Sequence, residues 1–216
     1  MAIVVLIRSG CTDFDEQQRI QGSLDLPLNK RGEEQVRQLC LELGSVPLEI
    51  LYTSPCEPAR STAAALGLEL GLPVKELEGL RNFDQGLWQG LQIEDIRRKH
   101  PKVFKQWQES PETICPPQGE TVAAANERIR KALEKPLKRG ISFAIVASEP
   151  LATLVCCFVT GRKLDLTEST CHAASQKQWE YLRTNGHGPA GPAASDSELN
   201  AVDAALTPVH RGEPAP

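Results

Sequence analysis

The sequence predicts an α/β fold, a three-layer α/β/α sandwich around a central, mostly parallel sheet. Three observations predict it. Apolar runs rich in β-branched residues recur at Ala2–Ile7, Leu48–Tyr52 and Ile141–Ala147, the pattern of strands buried on both faces. A helical segment follows each run, and strand–helix alternation favours parallel strands. The first run also ends in a polar turn, Arg8-Ser9-Gly10, at the strand end where open α/β sheets bind ligands.

Element by element, Ala2–Ile7 is the first strand. Asn29-Lys30-Arg31-Gly32 leads into a helix over Glu33–Leu43, with Val36, Leu39, Cys40 and Leu43 on one face and Gly44 as its C-cap. Leu48–Tyr52 is the second strand. Ser54 reads as the N-cap and Pro55 as the first residue of a helix reaching about Leu70. Pro73–Leu77 reads as a third strand. Ile93–Trp107 is helical with a break at His100-Pro101, and the prolines of Ser110–Gln118 demand a loop. Glu120–Lys138 is a helix with Val122, Ala125, Ile129 and Leu133 inward. Ile141–Ala147 is the next strand, Leu151–Thr160 a helix and Lys177–Leu182 a last strand.

Composition narrows the function classes. The chain has 216 residues, 40% hydrophobic and 24% charged, enough to bury one full core without disulfides or structural metals. A net charge of −4 argues against a nucleic-acid binder, and 5% aromatic residues argue against a base-stacking platform. Glu149-Pro150 interrupts the longest apolar stretch, Ile141–Thr160, so it reads as a buried strand and helix rather than a membrane span. Seven scattered cysteines, with no CxxC and no zinc-finger spacing, read as free thiols in a reducing cytosol. The expected localisation is cytoplasmic. Every Trp, Tyr and Phe lies before Thr184, and the remainder turns to Gly, Pro, Ala and Ser. The expected organisation is therefore a domain over residues 1–183 and a disordered tail over 184–216. Within the tail, Ser197–Leu206 has a second reading as a short helix with Leu199, Val202 and Leu206 on one side, docking on its own domain or a partner.

Over residues 2–183 the chain resembles the histidine phosphatase superfamily, the phosphoglycerate mutase-like proteins. The segment Arg19-Ile20-Gln21-Gly22-Ser23-Leu24-Asp25-Leu26-Pro27-Leu28-Asn29-Lys30-Arg31-Gly32 is similar to the family's first signature almost position by position. Ser54-Pro55 through Ala59, Thr62 and Ala63 look like the second. Leu80-Arg81 with Gly86, Trp88, Gly90 and Leu91 look like the third. Gly119-Glu120-Thr121 and Val146-Ala147-Ser148 resemble two further family segments.

The resemblance also implies where the family's chemistry would sit. The nucleophilic histidine would fall at Ser9, within Arg8-Ser9-Gly10. The second histidine would fall at Glu149, with Pro150 after it instead of glycine. The second phosphate-clamping arginine would fall at Pro58, the leaving-group acid at Asn82, and an assisting asparagine at Asp15. Of that set, Arg8 alone is retained. Arg60 does not replace the lost arginine, because two residues along a helix turn it about 200° from Pro58. Phosphoryl transfer depends on positioning and positive charge. A carboxylate about 4 Å from a phosphate oxygen would oppose its binding by roughly 4 kcal/mol at an effective dielectric of about 20. Glu149 is therefore expected to form a salt bridge with Arg8.

Two functions follow from the resemblance. One is a pseudoenzyme with no intact catalytic set, with Ser9, Pro58, Asn82 and Glu149 at degenerate positions. Its ligand pocket would be Arg8, Ser9, Gly10, Asp15, Asn82 and Glu149, and its role binding or regulation. The other is a weak or altered phosphomonoester phosphatase using Arg8 with Ser9 or Cys11. Neither implies a cofactor or a metal. The partner is an unnamed protein or small-molecule ligand, with no nucleic acid and no membrane. The four histidines, His100, His172, His187 and His210, stand at no family catalytic position. Arg97-Arg98-Lys99-His100 reads as a solvated helix face, and Trp88 and Trp107 as packing anchors.

Overall fold

Val4–Arg8 forms β1, and its alternating side chains explain the layering: Val4 and Leu6 enter one core, Val5 and Ile7 the other. The computed structural model describes residues 2–110, 113, 115–164 and 177–183. After β1 come a one-turn helix α1 (Asp13–Glu16), α2 (Lys30–Leu43), β2 (Ile50–Thr53), α3 (Ala59–Leu70) and β3 (Val74–Glu76). Then follow α4 (Ile93–Lys99), α5 (Pro101–Glu109), α6 (Val122–Lys138), β4 (Phe143–Ala147), α7 (Leu151–Thr160) and β5 (Trp179–Tyr181).

The strands are ordered β3-β2-β4-β1-β5. β1, β2, β3 and β4 run parallel, and β5 is antiparallel to β1. On one face, α6 sets Val122, Ala125, Ile129 and Leu133 against α7 and the sheet residues Phe143, Ile145 and Tyr52. On the other, α2 and α3 set Leu39, Leu43, Ala63 and Leu66 against Leu51, Ala144 and Val146. The expected three-layer α/β architecture is thus present. A third cluster joins α4 and α5 to the loops, with Trp88 and Trp107 buried and their rings 5.5 Å apart. Arg97, Arg98, Lys99 and His100 are exposed, two of them paired with Glu94 and Asp95 one turn earlier.

Several expectations shift. Arg8 is the last residue of β1, aligned with Ala147, and not part of the turn. The α2 helix starts at Lys30 rather than Glu33, because the Asn29 side chain caps it by accepting from Gly32 N–H at 2.9 Å. Ser54 and Pro55 do not open α3, which begins at Ala59 with Pro58 at its N-cap. A helix running through Pro58 would lose an N–H and drive the proline ring into the carbonyl of residue 54. The Ser54 hydroxyl instead accepts from Cys56 N–H in a tight turn. The α1 helix was not foreseen. The tail at 184–216, with its 197–206 segment, lies outside the described residues, as do His172, His187, His210 and Cys171. Among the described residues no helix is long and apolar enough to cross a membrane.

Candidate functional site

Parallel strands deliver their C-terminal ends to one edge of the sheet, and the candidate residues gather there. β1 ends at Arg8 and β4 ends at Ala147, and Ser9 N–H donates to Ala147 O at 3.1 Å. Arg8 and Glu149 are therefore brought alongside one another. Arg8 Nε donates to Glu149 Oε1 at 2.8 Å, with the two side chains only 15% and 13% exposed. The expected salt bridge is present. Glu149 Oε2 is held in turn by Thr153, whose N–H and hydroxyl donate to it at 3.2 and 2.8 Å.

Arg8 has a second carboxylate that sequence reasoning missed. Its Nη2 donates to Glu180 Oε1 at 2.9 Å, and its Nη1 to the Lys177 carbonyl at 3.1 Å. The signal was in the β5 pattern. Trp179 and Tyr181 pack into the core shared with α2 and α3, so alternation turns Glu180 to the other face, beside Arg8. Burial alone would lower the guanidinium pKa, but Glu149 and Glu180 outweigh it and hold Arg8 above its ordinary value.

Ser9 Oγ shares a hydrogen bond with Ser148 Oγ at 3.0 Å. Gly10 N–H donates to Thr62 Oγ1, and the Thr62 hydroxyl donates to Pro58 O. This relay ties the β1 turn to the start of α3. Asn82 is buried and donates from Nδ2 to Glu57 O at 3.0 Å, while Ser54 Oγ lies 3.5 Å from Asn82 Oδ1. Pro58 and Asn82 thus join the turn over Ser54–Pro58. Arg60 is exposed and paired with Glu57. Asp15 stands in α1, where its carboxylate accepts from Thr12 N–H and Oγ1 at 2.7 and 2.8 Å. Burial pushes its pKa up, the Thr12 bonds pull it down, and the Glu149 charge adds to the rise, leaving it above the ordinary value. Burial also pushes up the Cys11 thiol, with Asp15 adding to it.

Residues 4–190 match the model of the histidine phosphatase superfamily (branch 1). This chain belongs to the histidine phosphatase superfamily. Phosphoserine phosphatase 1 of Hydrogenobacter thermophilus is 28% identical over 159 residues, covering 72% of this chain and 75% of that protein. The uncharacterized phosphatase PhoE of Bacillus subtilis is 35% identical over 101 residues, 47% of this chain and 52% of that one. Among solved structures, YhfR of Bacillus stearothermophilus superposes with a TM-score of 0.69 at 26% identity, covering 77% of this chain and 83% of that chain. A mycobacterial glucosyl-3-phosphoglycerate phosphatase superposes at 0.68 with 25% identity, over 76% and 82% of the two chains.

Proposed function

We propose that this superfamily member is a pseudoenzyme with a binding or regulatory role, whose phosphate site is occupied by its own carboxylates. The observation that carries the reading is the Arg8 side chain, which is bonded to Glu149 at 2.8 Å and to Glu180 at 2.9 Å. An incoming phosphate dianion must displace both, and Asp15 adds a third acid that interacts with Glu149. Ser9, Pro58, Asn82 and Glu149 stand where the family resemblance implies its histidines, second arginine and acid. No side chain there supplies a histidine nucleophile or a second clamping cation.

The phosphatase names of its relatives favour a second reading, a weak phosphomonoesterase using Arg8 with Ser9 or Cys11. Two observations weigh against it. The Ser9 hydroxyl is engaged with Ser148. The raised Cys11 thiol remains protonated near neutral pH, and the thiolate is the nucleophilic form.

The test uses p-nitrophenyl phosphate with the wild type, Arg8→Ala, and a Ser9→His/Pro58→Arg/Glu149→His triple variant. Turnover in the triple variant alone supports the pseudoenzyme. Wild-type turnover that Arg8→Ala abolishes overturns it. Inorganic phosphate is expected to leave the wild-type melting temperature unchanged.

A further inference from the structure

Three loops of the candidate site meet on one backbone atom, the Glu57 carbonyl oxygen. Asn82 Nδ2 donates to it at 3.0 Å, and Gln21 Nε2 donates to it at 3.0 Å. Both residues are buried. A carbonyl oxygen has two lone pairs, so the two amides fill it. Glu57 N–H is held as well, donating to Asp25 Oδ1 at 2.9 Å. The backbone that carries Asn82 is fixed from behind by α6. Arg128 Nη1 donates to the carbonyls of Gly79 and Arg81, each at 2.8 Å, and Glu120 Oε1 accepts from Asp84 N–H at 3.0 Å. Beyond Glu57, the Pro58 carbonyl accepts from the Thr62 hydroxyl, and Thr62 accepts from Gly10 N–H beside Arg8.

We propose that Asn82 and Gln21 are positioning residues. Their amides form a clasp that fixes the Ser54–Pro58 turn against the strand end carrying Arg8, and a carboxylate at position 82 cannot take part in it. An ionised carboxylate only accepts hydrogen bonds. In place of the Asn82 amide it would set oxygen against oxygen and bury a charge. The family resemblance implies the leaving-group acid at this position, so loss of the acid and gain of the clasp are one exchange. The inference goes beyond the pseudoenzyme reading and concerns the rigidity of the turn, not turnover.

Cys56 reports on the turn directly. It is a half-buried free thiol whose N–H donates to Ser54 Oγ at 3.1 Å. Cys40, a half-buried free thiol in α2, serves as the internal reference. The full chain is labelled with N-ethylmaleimide, and the ratio of Cys56 to Cys40 labelling is read by fragment mass spectrometry. Asn82→Asp is expected to raise that ratio about tenfold, since one lost hydrogen bond with a facing acceptor shifts a local opening by about that factor. Asn82→Ala is expected to raise it less, because it removes the donor without opposing the carbonyl. Gln21→Glu attacks the clasp from the other loop and is expected to raise the ratio too, which keeps the test decisive should the Asn82→Asp chain not fold. A larger rise in Asn82→Ala than in Asn82→Asp overturns the proposal, since it would make Asn82 a space-filling residue. An unchanged ratio in Gln21→Glu overturns it as well.

Discussion

Arg8 is held by Glu149, Glu180 and a backbone carbonyl, so one guanidinium lies between two carboxylates. Both ion pairs are mostly buried. Breaking such a cluster from one side costs about 3–5 kcal/mol through the charge left behind, a penalty that any displacing anion must offset. Asp15 feels the same field. Its folded pKa is raised above the ordinary 3.8 by burial, with the Glu149 charge adding to it. A raised folded pKa gives stability that is complete below about 3.8 and is lost as pH rises through the folded value. Asp15→Asn keeps an acceptor for Thr12 N–H and removes the charge. Urea melts at stepped pH should therefore show the variant gaining on the wild type as pH rises across that window. Parallel curves for the two proteins would remove Asp15 from the account. The Arg8–Glu149 contact was legible because the family resemblance places the two positions face to face, and the β1–β4 register brings them together. Glu180 was not, because its approach depends on an antiparallel fifth strand whose register no local motif marks.

At the scale of elements, strand runs and apolar helix faces were legible throughout, and the misreadings cluster at helix starts. Leu151–Thr160 matches its expected span, since Pro150 precedes it and Gly161 follows in a left-handed conformation. The start of α3 was misplaced because two prolines three residues apart each qualify as an opening, and only the tertiary path selects the second. The join between β1 and α2 is subtler. A Cβ on Gly32 would sit 2.2 Å from Cys11 O, and one on Gly10 would sit 2.7 Å from Gly32 O. These two glycines let α2 close on the strand end that carries Arg8. Gly32→Ala must then push backbone apart, and overpacking of this kind costs about 1–3 kcal/mol. Alanine's helix preference returns at most about 1 kcal/mol, so the net change is destabilising. A urea midpoint equal to or above the wild type's would contradict the close approach.

Across the whole molecule, the same arginine joins the sheet's last strand to its interior. β5 has only three residues and one strand neighbour among those described, β1. Its ladder is extended by Arg8 N–H to Gln178 O and Leu182 N–H to Val4 O, both at 2.8 Å. Trp179 adds a bond to Glu42 and an edge-on contact with Tyr181. So short an edge strand is marginal on backbone bonds alone. The Arg8–Glu180 pair therefore acts as a clip, and hydrogen bonds to charged groups contribute about 1.5–3 kcal/mol. Glu180→Ala should raise the opening frequency at β5 by about tenfold or more, since about 1.4 kcal/mol is a factor of ten. Hydrogen exchange at the Leu182 amide should accelerate accordingly, while β4, paired on both sides by β1 and β2, keeps its protection. Acceleration spread evenly over β4 would mean that Glu180 supports global stability instead. No acceleration at Leu182 would mean that Arg8 does not hold the edge. The local outcome would make Arg8 a structural residue, whose charge secures the strand leading toward residue 184.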